Sequence, residues 1–415
     1  MNILYINHYA GSKKHGMAFR PYYLSKEWIK SDIHRVNIVA SSYSHLRNIQ
    51  PNSNQDLSNE IIDEIKYSWI KTIEYKSNGV KRFINILQFI LKLFKYSNYF
   101  IKKNKPDIVI ASSTYPMDIW PAYHIAKKSG ATLIFELHDV WPQSLIEAGG
   151  LSKFHPFVII SAIAEKSVYK LSDRIISMLP AIHEHCIYNN YDLSKVTVIP
   201  NGIDMSEWTT QDTSLIPTNI KKIIDTAKNN KRRILCYTGA HGLPNDLDNL
   251  LDAAKKLTNE PIIFLLIGDG NHKNKLLSRV KTESIDNVYM FNSIPKKTIP
   301  SILSSCDIAF IGAKKQPLYR FGISPNKIMD YMMSSTPIIS AIDAGNNPVK
   351  DAGCGISVTP QNSLMLSEAI KSLCALSDEE LSKMGCAGRT YAIENYGYHN
   401  LALQFMNVLE NENKL

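Results

Sequence analysis

The sequence predicts an α/β protein that consists of two doubly wound parallel-sheet domains in tandem. Its 415 residues exceed what one hydrophobic core usually serves, which favours two domains of roughly 200 residues each. Short, apolar, β-branched runs recur between longer helical patterns, and buried strands that alternate with helices are typical of parallel sheets covered on both faces. These observations exclude a single small binding module.

The predicted strands fall into two series of six. The first series is 3–7, 35–41, 107–112, 132–136, 174–178 and 196–200. The second series is 233–239, 262–268, 287–291, 307–312, 337–341 and 355–358. Between them, residues 199–208 (IPNGIDMSEW) are rich in turn formers, so we place a hinge there.

Composition and charge narrow the class of protein. The chain is 44% hydrophobic and 20% charged, which is typical of a globular protein with a sizeable core. The formal net charge of +9 favours anionic partners, namely nucleic acid, phosphorylated ligands or an acidic membrane surface. The basic residues cluster with apolar ones and match no nucleic-acid motif, so we expect no nucleic-acid partner.

The cysteines and the chain start indicate a cytoplasmic setting. All six cysteines lie at or after residue 186, with no CxxC and no Cys/His ligand spacing, so we expect neither a zinc site nor a disulfide framework. The N-terminus begins directly with a strand, which predicts no signal peptide, and no apolar run approaches the roughly 20 residues of a membrane span.

Two segments depart from the alternation of strands and helices. Residues 44–59 are polar and predict a mobile surface loop. Residues 80–105 hold seven basic and no acidic residues, and their polar positions fall near one helical stripe. The stripe comprises Lys81, Asn85, Gln88, Lys92, Lys95 and Lys102. It fits either a crossover helix with one solvated face or a helix at an anionic bilayer.

Ligands of open parallel sheets bind outside the carboxyl ends of the strands, so residues directly after the strands are candidate site residues. Gly239 lies in the loop YTGAHGLPND, where glycines let backbone amides approach a phosphate. Gly268 and Asp269 end the next strand, LLIGDG, and Asp269 suits either a turn or a nucleotide contact.

The segment GISPNKIMDYM, residues 322–332, carries the strongest signal of a ligand. Ser324 and Pro325 predict a helix start, whose first amides form an anion site. Lys327 adds a positive charge in the first turn, and Asp330, one turn later, could accept hydrogen bonds from ribose hydroxyls. An anion site beside a diol acceptor fits a nucleoside diphosphate, and the alternative is that Lys327 and Asp330 pair on a helix surface.

These motifs together resemble the GT-B fold glycosyltransferases of the retaining glycosyltransferase family 4, over essentially the whole chain. The marks are IPNGID, YTGxHG, LIGDG and SPNKIMDYMMSSTPII. The segments HYAGSKKHGMAFRPYYLSKEW, SSYSHLR and ELHDVWPQS further resemble the subgroup that builds bacterial O-antigens or capsules, in particular its N-acetyl-L-fucosamine transferases.

The resemblance implies two Rossmann-like domains that face each other across a cleft. The expected N-terminal, acceptor-side domain is 1–200 plus 395–415, because the last helix crosses back, and the nucleotide-sugar domain is 201–394. The implied reaction moves a sugar from a nucleotide sugar, preferably UDP-linked, onto a glycan on a polyprenyl diphosphate, with no cofactor.

Residue roles follow from the same resemblance. Asp330 matches the acid that holds the ribose, Lys327 a diphosphate-binding lysine, and Ser324, Pro325 and Asn326 the amides beside it. Gly322 stands where the family has the first acid of a pair spaced eight apart, which puts the usual sugar-hydroxyl contact in doubt. Basic residues are absent from HGLPNDLDN, so Arg320 is a candidate supplement at the diphosphate.

On the N-terminal side, Gly11 and Gly16 follow the first strand and would let backbone approach the donor, although loop flexibility explains them equally. His138 and Asp139 match the family's histidine-containing strand end, where the histidine faces the donor sugar. Arg20 is expected to meet either phosphate or solvent. We therefore assign His138, Asp139 and Lys327 to catalysis. The residues assigned to donor binding are Gly11, Gly16, Gly239, Gly268, Asp269, Arg320, Ser324, Pro325, Asn326 and Asp330.

The implied mechanism is retaining and metal-independent, with Lys327 and backbone amides stabilising the leaving diphosphate. Asp246 and Asp248 resemble a metal-binding DxD motif but begin a helix, where Asp is a common cap. We expect a peripheral enzyme on the inner face of the plasma membrane. The alternatives are a nucleotide-sugar 2-epimerase and a noncatalytic nucleotide-sugar-binding scaffold of a glycan assembly complex.

Overall fold

The computed structural model describes residues 1–17, 20–76, 79–209 and 212–410. Ala18 and Phe19 of the N-terminal motif, and the last five residues of the segment 395–415, lie outside the described residues. By its internal contacts the chain divides into two units: unit 1 contains residues 1–201 and the C-terminal segment from residue 398, and unit 2 contains residues 202–397.

Unit 1 is an α/β unit whose strands and helices alternate. In chain order they are β1 (Asn2–Ile6), α1 (Arg20–Ile29), β2 (Arg35–Ser41), β3 (Leu57–Ile62), β4 (Ile65–Ile70), α2 (Val80–Lys95), α3 (Ser97–Asn104), β5 (Ile108–Ala111), α4 (Ile119–Ser129), β6 (Thr132–Leu137), α5 (Pro156–Leu171), β7 (Arg174–Ser177), α6 (Ile182–Tyr188) and β8 (Val196–Val198). The eight strands form one sheet in the order β3-β4-β2-β1-β5-β6-β7-β8. All neighbouring strands pair in parallel except β3 and β4.

Unit 2 repeats the architecture with a fully parallel sheet. Its elements are α7 (Thr218–Asn229), β9 (Arg233–Thr238), α8 (Leu247–Lys256), β10 (Ile262–Ile267), α9 (Lys273–Thr282), β11 (Val288–Phe291), α10 (Ile299–Leu303), β12 (Ile308–Gly312), α11 (Asn326–Met333), β13 (Ile338–Ala341), α12 (Pro348–Asp351), β14 (Gly355–Ser357), α13 (Ser363–Cys374) and α14 (Asp378–Tyr396). The strand order is β11-β10-β9-β12-β13-β14. All twelve predicted strands are present, so the predicted fold class of two parallel-sheet α/β domains is confirmed.

The last helix, α15 (Tyr398–Glu410), packs against α1 of unit 1. The ring of Tyr398 stacks on that of Tyr23 at 4.8 Å, and the Trp28 indole N–H donates to the carbonyl of Ala402 at 3.2 Å. Phe405 packs edge-on against Trp28, with 5.1 Å between the ring centroids. Because these side chains are buried aromatic groups, α15 is an integral part of the unit 1 core.

The hairpin of β3 and β4 was not predicted, and it corrects the loop predicted over 44–59. Residues 57–59 belong to β3, and Asp63 and Glu64 form its turn with φ values of 48° and 66°. Such a turn favours Asn-Gly, so the sequence Asp-Glu gives a weak signal. The alternation of Ile65, Tyr67 and Trp69, all buried, was the available sign of a strand.

The rest of the segment 44–59 is tied to the sheet by Arg47, which is 4% exposed. Its guanidinium donates to the carbonyls of Ala10 at 2.8 Å and Ser41 at 2.7 Å and lies 5.1 Å from the ring of Trp69. Burial lowers the pKa of Arg47 to about 9. The loop is therefore anchored by a buried cation, which its polar composition did not predict.

The segment 80–105 forms two helices, α2 and α3, and the middle of the polar stripe of α2, from Asn85 to Lys92, points inward. Asn85 is fully buried and donates to the Ile73 carbonyl at 2.6 Å, while the Gln88 side chain accepts from the Ile73 amide at 2.9 Å. Lys92 donates to Asp56, and Lys95 bonds to the same carboxylate at 2.8 Å. The prediction of a solvated polar stripe is therefore wrong for Asn85, Gln88 and Lys92, whereas the Lys95 side chain is 62% exposed.

The exposed positions of α2 are largely apolar instead. Val80 is 75% exposed and Leu91 65%, and Ile84 and Phe94 lie on the same side of the helix at 39% each. Among the described residues, none of the helices combines the length and the apolar character that crossing a membrane requires.

Candidate functional site

In unit 2 the loops after β9 and β10 meet at the carboxyl edge of the sheet. The amide of Gly239 donates to the Ile267 carbonyl at 2.9 Å, and the amide of His241 donates to the Asp269 carbonyl at 2.9 Å. Gly268 has a φ of 154°, and a Cβ atom there would lie 1.8 Å from the Gly239 carbonyl oxygen. Because both groups are backbone, no rotation of a side chain could relieve that overlap, and the position requires glycine.

Lys327 crosses this edge of the sheet. A Cβ atom on Gly239 would lie 2.5 Å from Lys327 Cε, so glycine at 239 makes room for the lysine stem. The ammonium donates to the Tyr237 hydroxyl at 2.8 Å and to Asn245 Oδ1 at 2.6 Å. Both acceptors are neutral, so they leave the positive charge of Lys327 to act on an anion. Burial lowers the pKa of Lys327 to about 8.

Lys327 is in the first turn of α11, whose N-cap residue is Pro325. The proline ring offers no acceptor to the first-turn amides, so their partial positive charge adds to that of Lys327. Ser324 and Asn326 flank the N-cap, so the helix starts one residue after the predicted Ser324–Pro325 start. The arrangement can hold a phosphate or diphosphate group without a metal ion.

Asp330 lies one turn after Lys327 and does not pair with it. Within the described residues, the groups that act on its charge are Lys296 and Glu207, which themselves form an ion pair at 2.6 Å. Burial raises the pKa of the Asp330 carboxyl to about 7. A half-buried carboxylate beside an anion site is suited to accept two hydrogen bonds from a vicinal diol.

The side chain of Asp269 has a structural task. Its two oxygens accept from Lys273 Nζ at 2.8 Å and from the Ser293 amide at 2.7 Å, and these hydrogen bonds lower the pKa of its carboxyl. Lys273 also donates to the carbonyls of Gly268 and Phe291 and to the side chain of Asn292. This lysine, which sequence reasoning missed, joins the ends of β10 and β11.

Arg320, a predicted donor-site residue, and Gly322, which stands in place of the family's first acid, precede α11. Arg320 is exposed, stacks on the Phe321 ring at 4.3 Å and donates to the Pro317 carbonyl at 2.6 Å. Gly322 has a φ of 93°, a conformation that favours glycine over the acid that the family pattern would place there.

His241, Tyr237 and Asn245 are further residues of this site that sequence reasoning did not single out. Both ring nitrogens of His241 are buried without a hydrogen-bond partner among the described residues. Burial, together with the charges of Lys273 and Lys327, lowers the pKa of His241 to about 4, so its ring is neutral at pH 7. The quoted loop YTGAHGLPND contains all three residues, which was the available signal.

In unit 1 His138 follows β6 and rests on a buried polar network. The Ser112 hydroxyl donates to Glu136 at 2.7 Å and lies 2.9 Å from His138 Nε2. Since the single hydroxyl proton goes to Glu136, Ser112 accepts from His138, which assigns the ring proton to Nε2. Nδ1 is then the ring nitrogen outside this network, and it is the one that a substrate hydroxyl could use.

Glu136 and Arg20 form the base of this network. Arg20 is 4% exposed, and its Nε donates to Glu136 at 2.5 Å while the carbonyls of Ile199 and Pro200 accept from its other nitrogens. Burial alone would raise the pKa of Glu136, but Arg20, His138 and the Tyr5 hydroxyl together lower it below its usual range. Arg20 therefore does not face solvent, so that prediction is wrong, and its described partners are Glu136 and two backbone carbonyls.

The other predicted residues of unit 1 have local structural partners. Asp139 accepts from the Val140 amide at 2.9 Å and the Ser144 hydroxyl at 2.6 Å, and burial raises its pKa. A Cβ atom on Gly11 would lie 2.5 Å from the Met17 carbonyl, and Gly16 has a φ of 72°. Close packing and backbone geometry, rather than flexibility alone, thus account for the two glycines.

Asp246 and Asp248, the two acids of the DxD-like motif, lie at the start of α8 in unit 2. Asp246 precedes α8 with a φ of 50°, and its side chain makes no capping hydrogen bond, contrary to the cap prediction. Asp248 pairs with Arg279 at 2.9 Å and with His272 at 2.7 Å.

The two tandem parallel-sheet units, with glycine loops and a helix N-terminus at the strand ends of unit 2, define the GT-B class of fold. Comparison with known families gives the activity. Residues 15–207 match the model described as Glycosyltransferase Family 4, and residues 219–391 match the model described as Glycosyl transferases group 1. The chain is therefore a GT-B glycosyltransferase.

Individual proteins resemble the chain more distantly. A probable glycosyltransferase of Pseudomonas aeruginosa, WbjE, is 21% identical over 74% of this chain and 75% of its own length. The putative colanic acid biosynthesis glycosyl transferase WcaI of Escherichia coli is 21% identical over 68% of this chain and 69% of its own length. Anabaena HepE in complex with UDP is a similar structure, with a TM-score of 0.64 at 13% identity, over 99% of this chain and 100% of its own.

Proposed function

We propose that this glycosyltransferase moves a sugar from a UDP-sugar to a growing, polyprenyl-diphosphate-linked glycan, with retention of anomeric configuration and without a metal ion. One observation carries the proposal. Among the described residues, the Lys327 ammonium donates to two neutral groups, Tyr237 and Asn245. It lies in the first turn of α11, one turn before the half-buried Asp330. This pair of groups matches a diphosphate and a ribose diol.

UDP is the proposed leaving group because the diol acceptor, Asp330, and the anion site at Lys327 lie about one helix turn apart. The HepE structures with UDP and with UDP-glucose support the choice, since that protein has a similar fold. The donor loops pack closely at Gly239 and Gly268, and Lys273 bonds to the Gly268 carbonyl. The backbone of the site is therefore preorganised.

The proposed product is a bacterial surface polysaccharide, an O-antigen or a capsule. The name of WcaI, a putative colanic acid biosynthesis enzyme, supports this class of product. Among donor sugars we propose N-acetyl-L-fucosamine, because the N-terminal motifs resemble those of N-acetyl-L-fucosamine transferases.

In the proposed reaction, the acceptor hydroxyl attacks the anomeric carbon on the face that UDP leaves. The C–O bond to the acceptor forms, the bond to the diphosphate oxygen breaks, and the leaving phosphate takes the acceptor proton. Lys327 and the α11 amides stabilise the charge that grows on the diphosphate. The proposed catalytic residues of unit 1 are His138, which Ser112 orients, and Asp139.

Turnover tests the proposal against the alternatives. We expect UDP release from a panel of UDP-sugars, UDP-N-acetyl-L-fucosamine included, only when a polyprenyl-diphosphate-linked sugar is present, and a product whose new linkage keeps the donor configuration by NMR. Activity should survive EDTA. A 2-epimerised nucleotide sugar formed without acceptor would indicate an epimerase, absence of any product a scaffold, and restoration of EDTA-treated activity by manganese alone a metal-dependent mechanism.

We also propose a peripheral position on an anionic membrane, through the segment 80–105. Lys81, Lys102 and Lys103 are exposed, whereas Lys92 and Lys95 pair with Asp56. Reversing the three exposed lysines to glutamate should release the protein from anionic vesicles in a sedimentation assay, since each contributes about 1 kcal/mol near such a surface.

The matched control for the vesicle assay reverses Lys221, Lys222 and Lys256, which are exposed in unit 2. This control changes the net charge by the same amount and should leave vesicle binding intact. Equal loss of binding in both triple variants would show that only overall charge matters, and unchanged binding in the first would remove the proposal.

A further inference from the structure

Unit 1 contains an open pocket of about 710 Å³ between the start of α2, the turn after β6 and the start of α5. Much of its wall is apolar, formed by Val80, Phe83, Ile86, Leu145, Leu151 and Phe157. The volume is within the range of small-molecule sites. None of these residues was predicted from the sequence to bind a small molecule.

Aromatic packing gives the pocket its shape. Phe157 contacts Phe83 with 5.2 Å and Trp141 with 5.7 Å between ring centroids, both edge-on. Two large apolar side chains next to the pocket are strongly exposed, Val80 at 75% and Phe154 at 74%. Such exposure beside an apolar pocket indicates an apolar partner rather than a sugar.

The pocket also has a polar side that leads toward His138. Arg82 lines it, with the guanidinium 5.6 Å from the Tyr9 ring centroid and a hydrogen bond to the Tyr9 hydroxyl at 3.3 Å. Thr114, Tyr115 and Trp141 line both this pocket and a small cavity bordered by His138 and Asp139. These shared residues place the polar side of the pocket next to the strand end that carries His138.

We propose that this pocket binds the first isoprene units of a polyprenyl diphosphate, with Arg82 toward the diphosphate and the attached sugar toward His138. The inference rests on the proposed lipid-linked acceptor and assigns the lipid a place. The charge of the surroundings favours an anionic lipid over an apolar peptide, because the segment 80–105 holds seven basic and no acidic residues. The exposed apolar side of α2 begins at Val80, next to the pocket, and offers the rest of the chain a route to a bilayer.

The test uses geranylgeranyl diphosphate, inorganic diphosphate and geranylgeraniol as probes of the full chain, with binding measured by calorimetry. We expect geranylgeranyl diphosphate to bind more tightly than either fragment. Val80→Asp, which places a charge at the exposed edge of the pocket without touching the core, should weaken that binding about tenfold or more. Arg82→Gln should weaken the diphosphate but leave geranylgeraniol unchanged.

The matched control is Ile61→Asp, at an equally exposed apolar residue of β3, 76% exposed, that does not line the pocket. Equal effects of the Val80 and Ile61 variants would overturn the proposal, as would inorganic diphosphate binding as tightly as the lipid. UDP is titrated in the same samples. If UDP binds and the lipid does not, the pocket assignment fails while the donor site stands, and the exposed apolar residues are better explained as a protein contact. If the lipid binds and UDP does not, the proposed donor fails and the pocket stands.

Discussion

Lys327→Met is expected to weaken binding of UDP-glucose, used as a stable UDP-sugar probe, by roughly 10- to 150-fold. The methionine keeps a side chain of similar length against Gly239 but removes the ammonium, and a hydrogen bond to a charged group contributes about 1.5–3 kcal/mol. Lys315→Met, at an exposed lysine of the same unit, is the control and should bind as the intact chain does. Calorimetric titration measures both. A Lys327 variant that binds normally would remove the diphosphate site from α11.

The same binding should depend on pH in a way set by two groups. Burial raises the pKa of Asp330 to about 7, so the carboxylate that accepts the ribose hydroxyls is lost as the pH falls below 7. Burial lowers the pKa of Lys327 to about 8, so the cation is lost as the pH rises above 8. Affinity for UDP-glucose should thus be highest between these values, because its diphosphate stays ionised throughout. Asp330→Asn should remove the acid limb and Lys327→Met the alkaline one.

Arg20→Met is expected to be the most destabilising single change in unit 1, at about 3–5 kcal/mol, because it leaves the fully buried Glu136 without its cation. Lys30→Met is the matched control. Lys30 pairs with Glu27 at the surface, and such a pair contributes about 0–1 kcal/mol. Denaturant unfolding compares the variants.

A second variant separates the lost ion pair from a general packing defect. Arg20→Met combined with Glu136→Leu removes both charges and should recover part of the stability, since the buried carboxylate is gone. If Arg20→Met costs no more than Lys30→Met, the buried pair does not support unit 1. If the double variant is less stable than Arg20→Met alone, packing rather than charge explains the loss.

The sequence was sufficient to predict the parallel sheets because their strands are short, continuous apolar runs. Ile262–Ile267 is buried at every position, which is the pattern that a central parallel strand requires. The β3–β4 hairpin escaped prediction because it lies at an antiparallel edge with a turn of weak sequence signal. Local pattern identifies what is buried on both faces better than what lies at an edge.

Orientation and pairing were harder to predict, because they depend on residues distant in sequence. Asn85 and Lys92 of the α2 stripe point inward because the backbone after β4 and Asp56 supply their partners. Arg20 is paired with Glu136, 116 residues away. The candidate donor site was more accessible to prediction, because Lys327 and Asp330 lie one turn apart on a single helix, while its neutral partners Tyr237 and Asn245 come from another loop.

Thermal unfolding of the full chain with UDP tests whether unit 2 binds UDP through Lys327 and Asp330. The intact chain and Lys315→Met should gain stability as UDP is added, because a ligand that binds only the folded state raises the unfolding temperature. Lys327→Met and Asp330→Asn, with unchanged unfolding temperatures in the absence of UDP, should gain much less. A rise of the same size in all four proteins would place UDP elsewhere, and no rise in the intact chain would contradict the donor site altogether.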